Sequence, residues 1–211
     1  MTELDALPPL TPAYADDLVG RAEWDGIVID GADLSGINAA QVQMIECAVT
    51  GCTADALELP GLSAADVHVG GLAANSWGLR RSDWRNATWT GMRVGALMAD
   101  GAALAKVTIR GSKIDLLSLR GATIKRLVID DCRIGTLDLS MATVEHVSIE
   151  GGSVDEFLTD AARMTGVDVS RTTLRTVGHP GALRSLTVSP EQMTDLGPAF
   201  AAYLGIQVAE D

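Results

Sequence analysis

Hydrophobic residues recur at every fifth position of this chain, in one unbroken phase from Ile29 to Leu174. Positions 29, 34, 39 and onward to 174 number 30, and 29 of them are apolar, Thr159 being the exception. A second column lies two residues before the first and is also mostly apolar or small, from Ile27 to Val167. Polar, charged and glycine residues fill most positions between the columns. The pattern therefore predicts two inward side chains in every five residues.

A period of five matches neither the 3.6-residue repeat of an α-helix nor the two-residue repeat of a long strand. Two inward residues spaced by two indicate a short extended segment, so the remaining residues must turn a corner. Repeated corners of one hand wind the chain into a coil, and successive turns stack through backbone hydrogen bonds. The sequence thus predicts an all-β solenoid.

The unit GADLS at residues 31–35 resembles the A(D/N)LXX repeat of the pentapeptide-repeat family, and the resemblance covers about residues 27–177. It implies a right-handed quadrilateral β-helix with twenty residues per coil, and hence about seven to eight coils. Glycines such as Gly91, Gly101 and Gly111 recur mostly at ten-residue intervals. Because glycine adopts a positive φ without steric cost, this spacing predicts two corner types that alternate around the coil.

Three segments are expected: an N-terminal cap with a short helix at 1–26, the β-helix at 27–182, and a C-terminal cap at 183–211 with a helix at about 190–204. Thr11-Pro12 predicts the start of the first helix, over residues 13–18. Ser189-Pro190 and Gln192 form a capping box that begins the second, and Gly205 ends it. The second helix caps the last coil, or it joins a homodimer as in similar family members; one helix can do both. Its candidate contact residues are Met193, Leu196, Phe200, Tyr203 and Leu204.

Three tryptophans, Trp77, Trp84 and Trp89, take inward positions within one coil. Plain core packing is favoured over a ligand platform, because these positions belong to the regular apolar columns. Three indoles in one layer nevertheless add a large volume to a narrow core, although small neighbours offset part of it. The sequence therefore predicts a local distortion near residues 75–92.

Charge divides the chain into three bands, with an overall net charge of −12 and a pI near 4.5. The net charge is −11 over residues 1–79, +6 over residues 80–133 and −7 over residues 134–211. Since a coil advances steadily along its axis, the bands become an acidic end, a basic belt and a second acidic end. The overall balance argues against direct nucleic-acid binding and favours a partner with a basic surface. The candidate partner-binding residues are Arg80, Arg81, Arg85, Lys106, Arg110, Arg120, Lys125 and Arg126.

Residues that carry chemistry are sparse. His68, His146 and His179 occupy different coils at outward or terminal positions, which are typical of surface residues and not of a metal site. The three cysteines take inward positions and are expected to be buried free thiols. No phosphate-binding loop or nucleophile motif occurs, so we expect no enzymatic activity, no cofactor and no metal. With no apolar run near twenty residues and no signal-peptide pattern, the chain is expected to be cytoplasmic and to make no membrane contact.

Two functions remain. The first is a rigid scaffold that binds another protein through its outer faces, as solenoids commonly do. The second follows from the family resemblance, since a subset of pentapeptide-repeat proteins is acidic, mimics DNA and binds DNA gyrase or a related topoisomerase, giving resistance to quinolones or topoisomerase toxins. The basic belt departs from that subset because it interrupts the negative surface.

Overall fold

The computed structural model describes residues 7–207, which form a solenoid of parallel β-strands closed by one C-terminal helix. Two single turns of 3-10 helix lie at Ala15–Asp17 and Pro180–Ala182, and helix α1 spans Pro190–Leu204. The strands are β1 Thr11–Pro12, β2 Glu23–Asp25, β3 Ile27–Asp30, β4 Ile37–Asn38, β5 Gln43–Ile45, β6 Ala48–Thr50, β7 Thr53–Glu58, β8 Ser63–Ala65, β9 His68–Gly70, β10 Ala73–Gly78, β11 Asp83–Thr90, β12 Arg93–Met98, β13 Ala103–Arg110, β14 Lys113–Ser118, β15 Thr123–Asp130, β16 Arg133–Asp138, β17 Thr143–Leu158, β18 Arg163–Val177 and β19 Leu186–Thr187.

Strands pair in parallel with the segment twenty residues later, as Leu104 of β13 does with Ile124 of β15. All 30 positions of the five-residue register are buried, including Thr159, which is 1% exposed. The predicted solenoid is confirmed. The ladder from Thr11 to Thr187 makes about nine turns, more than the seven to eight predicted. The difference arises at the ends, where β1 pairs with β3 and β19 pairs with β18, beyond the expected limits at 27 and 182.

Each turn has four five-residue sides, which we name faces 1 to 4. Their central inward residues in two neighbouring turns are Leu104 and Ile124 on face 1, Ile109 and Ile129 on face 2, Ile114 and Ile134 on face 3, and Leu119 and Leu139 on face 4.

The corners do not alternate between two types as the sequence predicted. Three corners of each turn hold a residue with positive φ, and the corner between faces 3 and 4 lacks one over residues 56–177. Between faces 2 and 3 that residue is mostly glycine, such as Gly111 (φ 59°), whereas between faces 1 and 2 it is mostly a larger residue, such as Lys106 (φ 58°). Glycine spacing missed the second kind because a side chain is tolerated there at a cost of about 1–2 kcal/mol.

The three tryptophans pack inside the coil without breaking it. Trp77, Trp84 and Trp89 are 2%, 1% and 0% exposed, and their ring centroids lie 5.0–6.0 Å apart. The strand register continues through them at a twenty-residue offset, so the predicted distortion near 75–92 is wrong. Ala64, which pairs with Trp84 in the turn before, leaves room for the indoles. A cavity of about 20 Å³ beside Trp77 and Trp84 holds at most one water.

The N-terminal cap differs from the predicted helix over 13–18. Thr11 does not cap a helix, because its N–H donates to the carbonyl of Gly26 and the N–H of Ala13 donates to that of Val28, which extends the ladder. Only the single 3-10 turn Ala15–Asp17 forms. Leu18, which follows it, is 4% exposed and covers the first turn of the core.

The C-terminal cap rests on one polar and one apolar side chain. The hydroxyl of Ser189 accepts from the N–H of Gln192, and the Gln192 side chain accepts from the N–H of Ser189, which completes the capping box. The amide nitrogen of Gln192 also donates to the carbonyls of Val169 and Thr172, each at 2.7 Å. Leu196 is 5% exposed. The hydrogen bonds of Gln192 and the burial of Leu196 together hold α1 against β18. No helix within residues 7–207 is long and apolar enough to cross a membrane.

Candidate functional site: charged columns on the outer faces

The candidate basic residues converge on one side of the solenoid. All except Arg110 lie on face 1 or on the two corners that border it, because they fall in three successive turns at matching positions. Ala103 and Thr123 lie between the two rows of cations, in one column with Asp83, and Ala105 lies between Arg85 and Lys125, so the floor consists of small side chains and one carboxylate. Asp100 lies between Arg80 and Arg120 on the adjoining corner. We call this surface the basic face. It comprises Arg80, Arg81, Arg85, Lys106, Arg120, Lys125 and Arg126.

Three of the eight candidate cations already hold an acidic partner within the chain. Arg85 pairs with Asp83 at 3.1 Å, Arg110 with Asp130 at 2.9 Å and Arg120 with Asp138 at 2.8 Å. The other five, Arg80, Arg81, Lys106, Lys125 and Arg126, form no ion pair with any residue in 7–207. Their side chains are therefore available to an external partner.

The Arg120–Asp138 pair anchors the edge of the basic face. Asp138 is 7% exposed and also accepts a hydrogen bond from the N–H of Ser140 at 2.8 Å. Burial alone would raise the pKa of Asp138, but the hydrogen bonds from Ser140 and Arg120 outweigh it, and the pKa lies below its usual value. Arg120 thus serves to neutralise a buried carboxylate, and it contributes less free charge than the sequence suggested.

A second charged array runs along the corner between faces 1 and 2. Its five residues come from successive turns and follow one another in the order acidic, acidic, neutral, basic, basic. All five have a positive φ, between 51° and 64°. The amide of Asn86 donates to the carboxylate of Asp66, and the other members, Asp66 apart, are exposed. We call this array the charged corner; it consists of Glu46, Asp66, Asn86, Lys106 and Arg126.

Sequence analysis missed a third array, on face 3. Arg93, Lys113 and Arg133 stack in register there and border a shallow hollow of about 830 Å³. Lys113 lies 3.7 Å from Asp115, whereas Arg93 and Arg133 have Gly95 and Gly135 at the corresponding position across the face. The spacing of twenty residues between like charges could have revealed this column and the charged corner, since it places them in line on adjacent turns.

The candidate residues of α1 divide between covering the solenoid and facing outward. Leu196 is buried and Phe200 is half-buried, so these two pack toward the solenoid. Tyr203 is 49% exposed, and its ring packs edge-on against His179 with centroids 4.8 Å apart. Met193 and Leu204 are 50% and 65% exposed. The helix therefore caps the last turn, and a dimer through its outer side stays a prediction.

The three histidines and three cysteines are the candidate metal ligands and reactive thiols of the chain. Within residues 7–207 no three His, Cys, Asp or Glu side chains come together as metal ligands. His68 is 9% exposed, so the prediction that all three histidines lie on the surface is wrong for this one; the backbone of Gly70 leaves room for its ring. Cys47, Cys52 and Cys132 are buried free thiols, as their inward positions predict, and burial raises the pKa of each.

The described residues thus define a solid β-solenoid whose distinctive chemistry lies in outward columns of charge. No model of a known protein family and no curated protein matches the chain. Among solved structures, it is similar to a trypsin-treated variant of QnrB1, a plasmid-mediated fluoroquinolone resistance protein, with a TM-score of 0.37 and 14% identity. The match covers 90% of this chain and 100% of the other. A likeness this loose says nothing about what the chain binds.

Proposed function

We propose that this chain is a pentapeptide-repeat protein that acts as a non-enzymatic cytoplasmic scaffold and binds another protein through its basic face. The observation that carries the proposal is the row of cations on that face with no ion-pair partner among residues 7–207: Arg80, Arg81 and Lys125, together with Lys106 and Arg126 at its edge. They surround a floor of small side chains and one carboxylate on a rigid ladder, so a partner with an acidic surface can approach closely. The family assignment rests on the thirty buried register positions.

Reversing charge on the basic face should remove the partner. In the variant Arg80→Glu, Arg81→Glu, Lys125→Glu, capture of the partner from a lysate of the native host should fall at least tenfold, because like charges then oppose each other across the contact. The matched control is Arg93→Glu, Lys113→Glu, Arg133→Glu, which makes the same charge change on face 3. Comparison of captured proteins by mass spectrometry provides the measurement. Equal capture by both variants would contradict the proposal.

The second candidate is a DNA mimic that binds DNA gyrase or a related topoisomerase. It is favoured by the net charge of −12 and by the acidic turns on either side of the basic belt. The positive columns on faces 1 and 3 weigh against it, since a DNA mimic needs continuous negative charge. For this candidate, micromolar protein should change gyrase supercoiling of plasmid DNA, with or without a fluoroquinolone. If neither reaction changes, the gyrase hypothesis is wrong, and the scaffold proposal is unaffected.

A further inference from the structure

The charged corner has an order that a second copy of the same chain can match. Glu46 and Asp66 are acidic, Asn86 is neutral, and Lys106 and Arg126 are basic. Each residue follows the last by one turn, so the five lie in line at intervals of about 4.8 Å. Reversing the direction of the line exchanges the acidic and basic halves. The array is therefore complementary to itself in the antiparallel sense.

The chain keeps these side chains in spite of backbone strain. The φ angles at Glu46, Asp66, Asn86, Lys106 and Arg126 are 51°, 56°, 51°, 58° and 64°. The equivalent positions on the next corner are glycine in four successive turns, at 51, 71, 91 and 111. Positive φ is not peculiar to this corner, since Arg81, Met141 and Ala161 adopt it on the corner between faces 4 and 1, so the order of the charges and not the strain points to a partner. Asn86 and Asp66 are hydrogen-bonded to each other, whereas Lys106 and Arg126 have no ion-pair partner within residues 7–207.

A two-fold axis through Asn86, perpendicular to the solenoid axis, brings the two halves together. It places Asp66 opposite Lys106 of the second copy and Glu46 opposite Arg126, with each pair formed twice. Because both copies have the same spacing between turns, all the rungs match at once. Asn86 lies opposite itself, where its amide can donate and accept.

On the face 2 side of the charged corner, Leu7 and Pro8 line a pocket of about 350 Å³ with four of its members, and the second copy covers that pocket. The neighbouring column on face 1 is compatible with this arrangement. There the same axis sets Ala65 opposite Ala105, so small side chains allow close approach. Ile45, which is 47% exposed, meets the aliphatic stem of Lys125. Arg85 meets its own copy, but each of these guanidinium groups is paired with its own Asp83.

We infer that a second copy of this chain docks antiparallel along the charged corner, with Asn86 on the two-fold axis. The inference rests on the proposed scaffold function and deepens it, since it names a second copy as one protein bound at the edge of the basic face. The five rungs span only about 19 Å at the strand spacing. The dimer is therefore weak and sensitive to salt, which screens exposed charges.

A cysteine on the axis tests the geometry directly. Asn86→Cys should form an intermolecular disulfide under mild oxidation by copper phenanthroline at about 100 µM protein, because the two thiols face each other. The native thiols are buried and give little background. His146→Cys is the control: it lies on the same corner with φ 57°, but the axis places it opposite Gly26, some six turns from its own copy. Equal cross-linking of both variants, or none of either, would overturn the inference.

Charge reversal on the Asn86→Cys background tests the chemistry. Adding Lys106→Glu and Arg126→Glu makes the corner wholly acidic, and adding Glu46→Lys and Asp66→Lys makes it wholly basic. Each should cross-link at least tenfold less than the parent when alone, and a mixture of the two should regain the parent yield as a heterodimer. Raising NaCl from 50 to 500 mM should suppress both the parent and the mixture.

The failure of this dimer is distinguishable from failure of the scaffold proposal. If sedimentation shows a dimer, if Tyr203→Glu and Leu204→Glu abolish it, and if residue 86 forms no cross-link, the contact lies on α1. That result overturns the present inference and leaves the scaffold proposal standing. Retention of partner capture by Arg80→Glu, Arg81→Glu, Lys125→Glu would contradict the scaffold proposal, whatever the cross-linking result.

Discussion

Replacing Ile124 with arginine should abolish the folded state of this protein. Ile124 is fully buried in β15 and lies between Leu104 and Val144 of the adjoining turns, so a guanidinium there meets only aliphatic groups. An uncompensated buried charge costs about 3–5 kcal/mol, and a typical domain has about 5–15 kcal/mol of total stability. The larger side chain adds about 1–3 kcal/mol of overpacking. We expect loss of the cooperative thermal transition followed by circular dichroism.

The matched control is the same substitution one residue earlier. Thr123 is exposed on face 1, and its ladder neighbours are Ala103 and Thr143, which leave room for a long side chain. Thr123→Arg should change the free energy of unfolding by no more than about 0.5 kcal/mol. A soluble Ile124→Arg protein that melts at the temperature of the parent would refute the assigned register.

The core could be predicted from sequence because a period of five specifies both inward columns at once. Every turn repeats the same two inward positions, so a shift of the register by one residue would place the whole core on the outside. Even Thr159, the one polar residue of the register, is buried. The ends carry no such repetition. Thr11 and Pro12 are residues that commonly begin a helix. However, the ladder has an unpaired edge at Ile27 and Val28, and the segment pairs with that edge and forms a strand there instead of a helix.

Only part of the candidate site could be predicted from the sequence. Charge bands could be counted, and the expected coil of twenty residues already places charges in line on successive turns. The structure shows which face each column occupies, which separates Arg110 from the other candidates and aligns Glu46 with Arg126. The ion pairs within the chain could not be predicted from the sequence, because Arg120 reaches Asp138, which is 18 residues away and lies on an adjoining turn. The left-handed conformation of Lys106 and Arg126 could not be predicted either, because glycine, and to a lesser degree Asn and Asp, favour that conformation, whereas Lys and Arg do not.

Replacing Gly152 with alanine should destabilise the protein by about 4 kcal/mol, more than any other glycine-to-alanine change on a corner. Gly152 has a φ of 61°, and a Cβ there would lie 1.9 Å from the carbonyl oxygen of Cys132 and 2.7 Å from its carbonyl carbon. Neither strand can yield freely, since the N–H of Ser153 donates to that same oxygen at 2.9 Å. The pairing register between β17 and β18 already shifts between Ser148 and Ser153. The backbone around Gly152 therefore has no regular strand pairing to which it could move to make room for a Cβ. Chemical denaturation of the variant and the parent provides the measurement.

Gly121→Ala separates the steric part of this loss from the conformational part. Gly121 has a φ of 63°, close to that of Gly152, but nothing lies within 4 Å of the point that a Cβ would occupy there. Its replacement should therefore cost only the left-handed penalty, about 1–2 kcal/mol. The difference between the two variants measures how closely one turn approaches the next at Cys132. Equal losses would mean that the turns are free to separate at residue 152, and the tight contact between Cys132 and β17 would then be wrong.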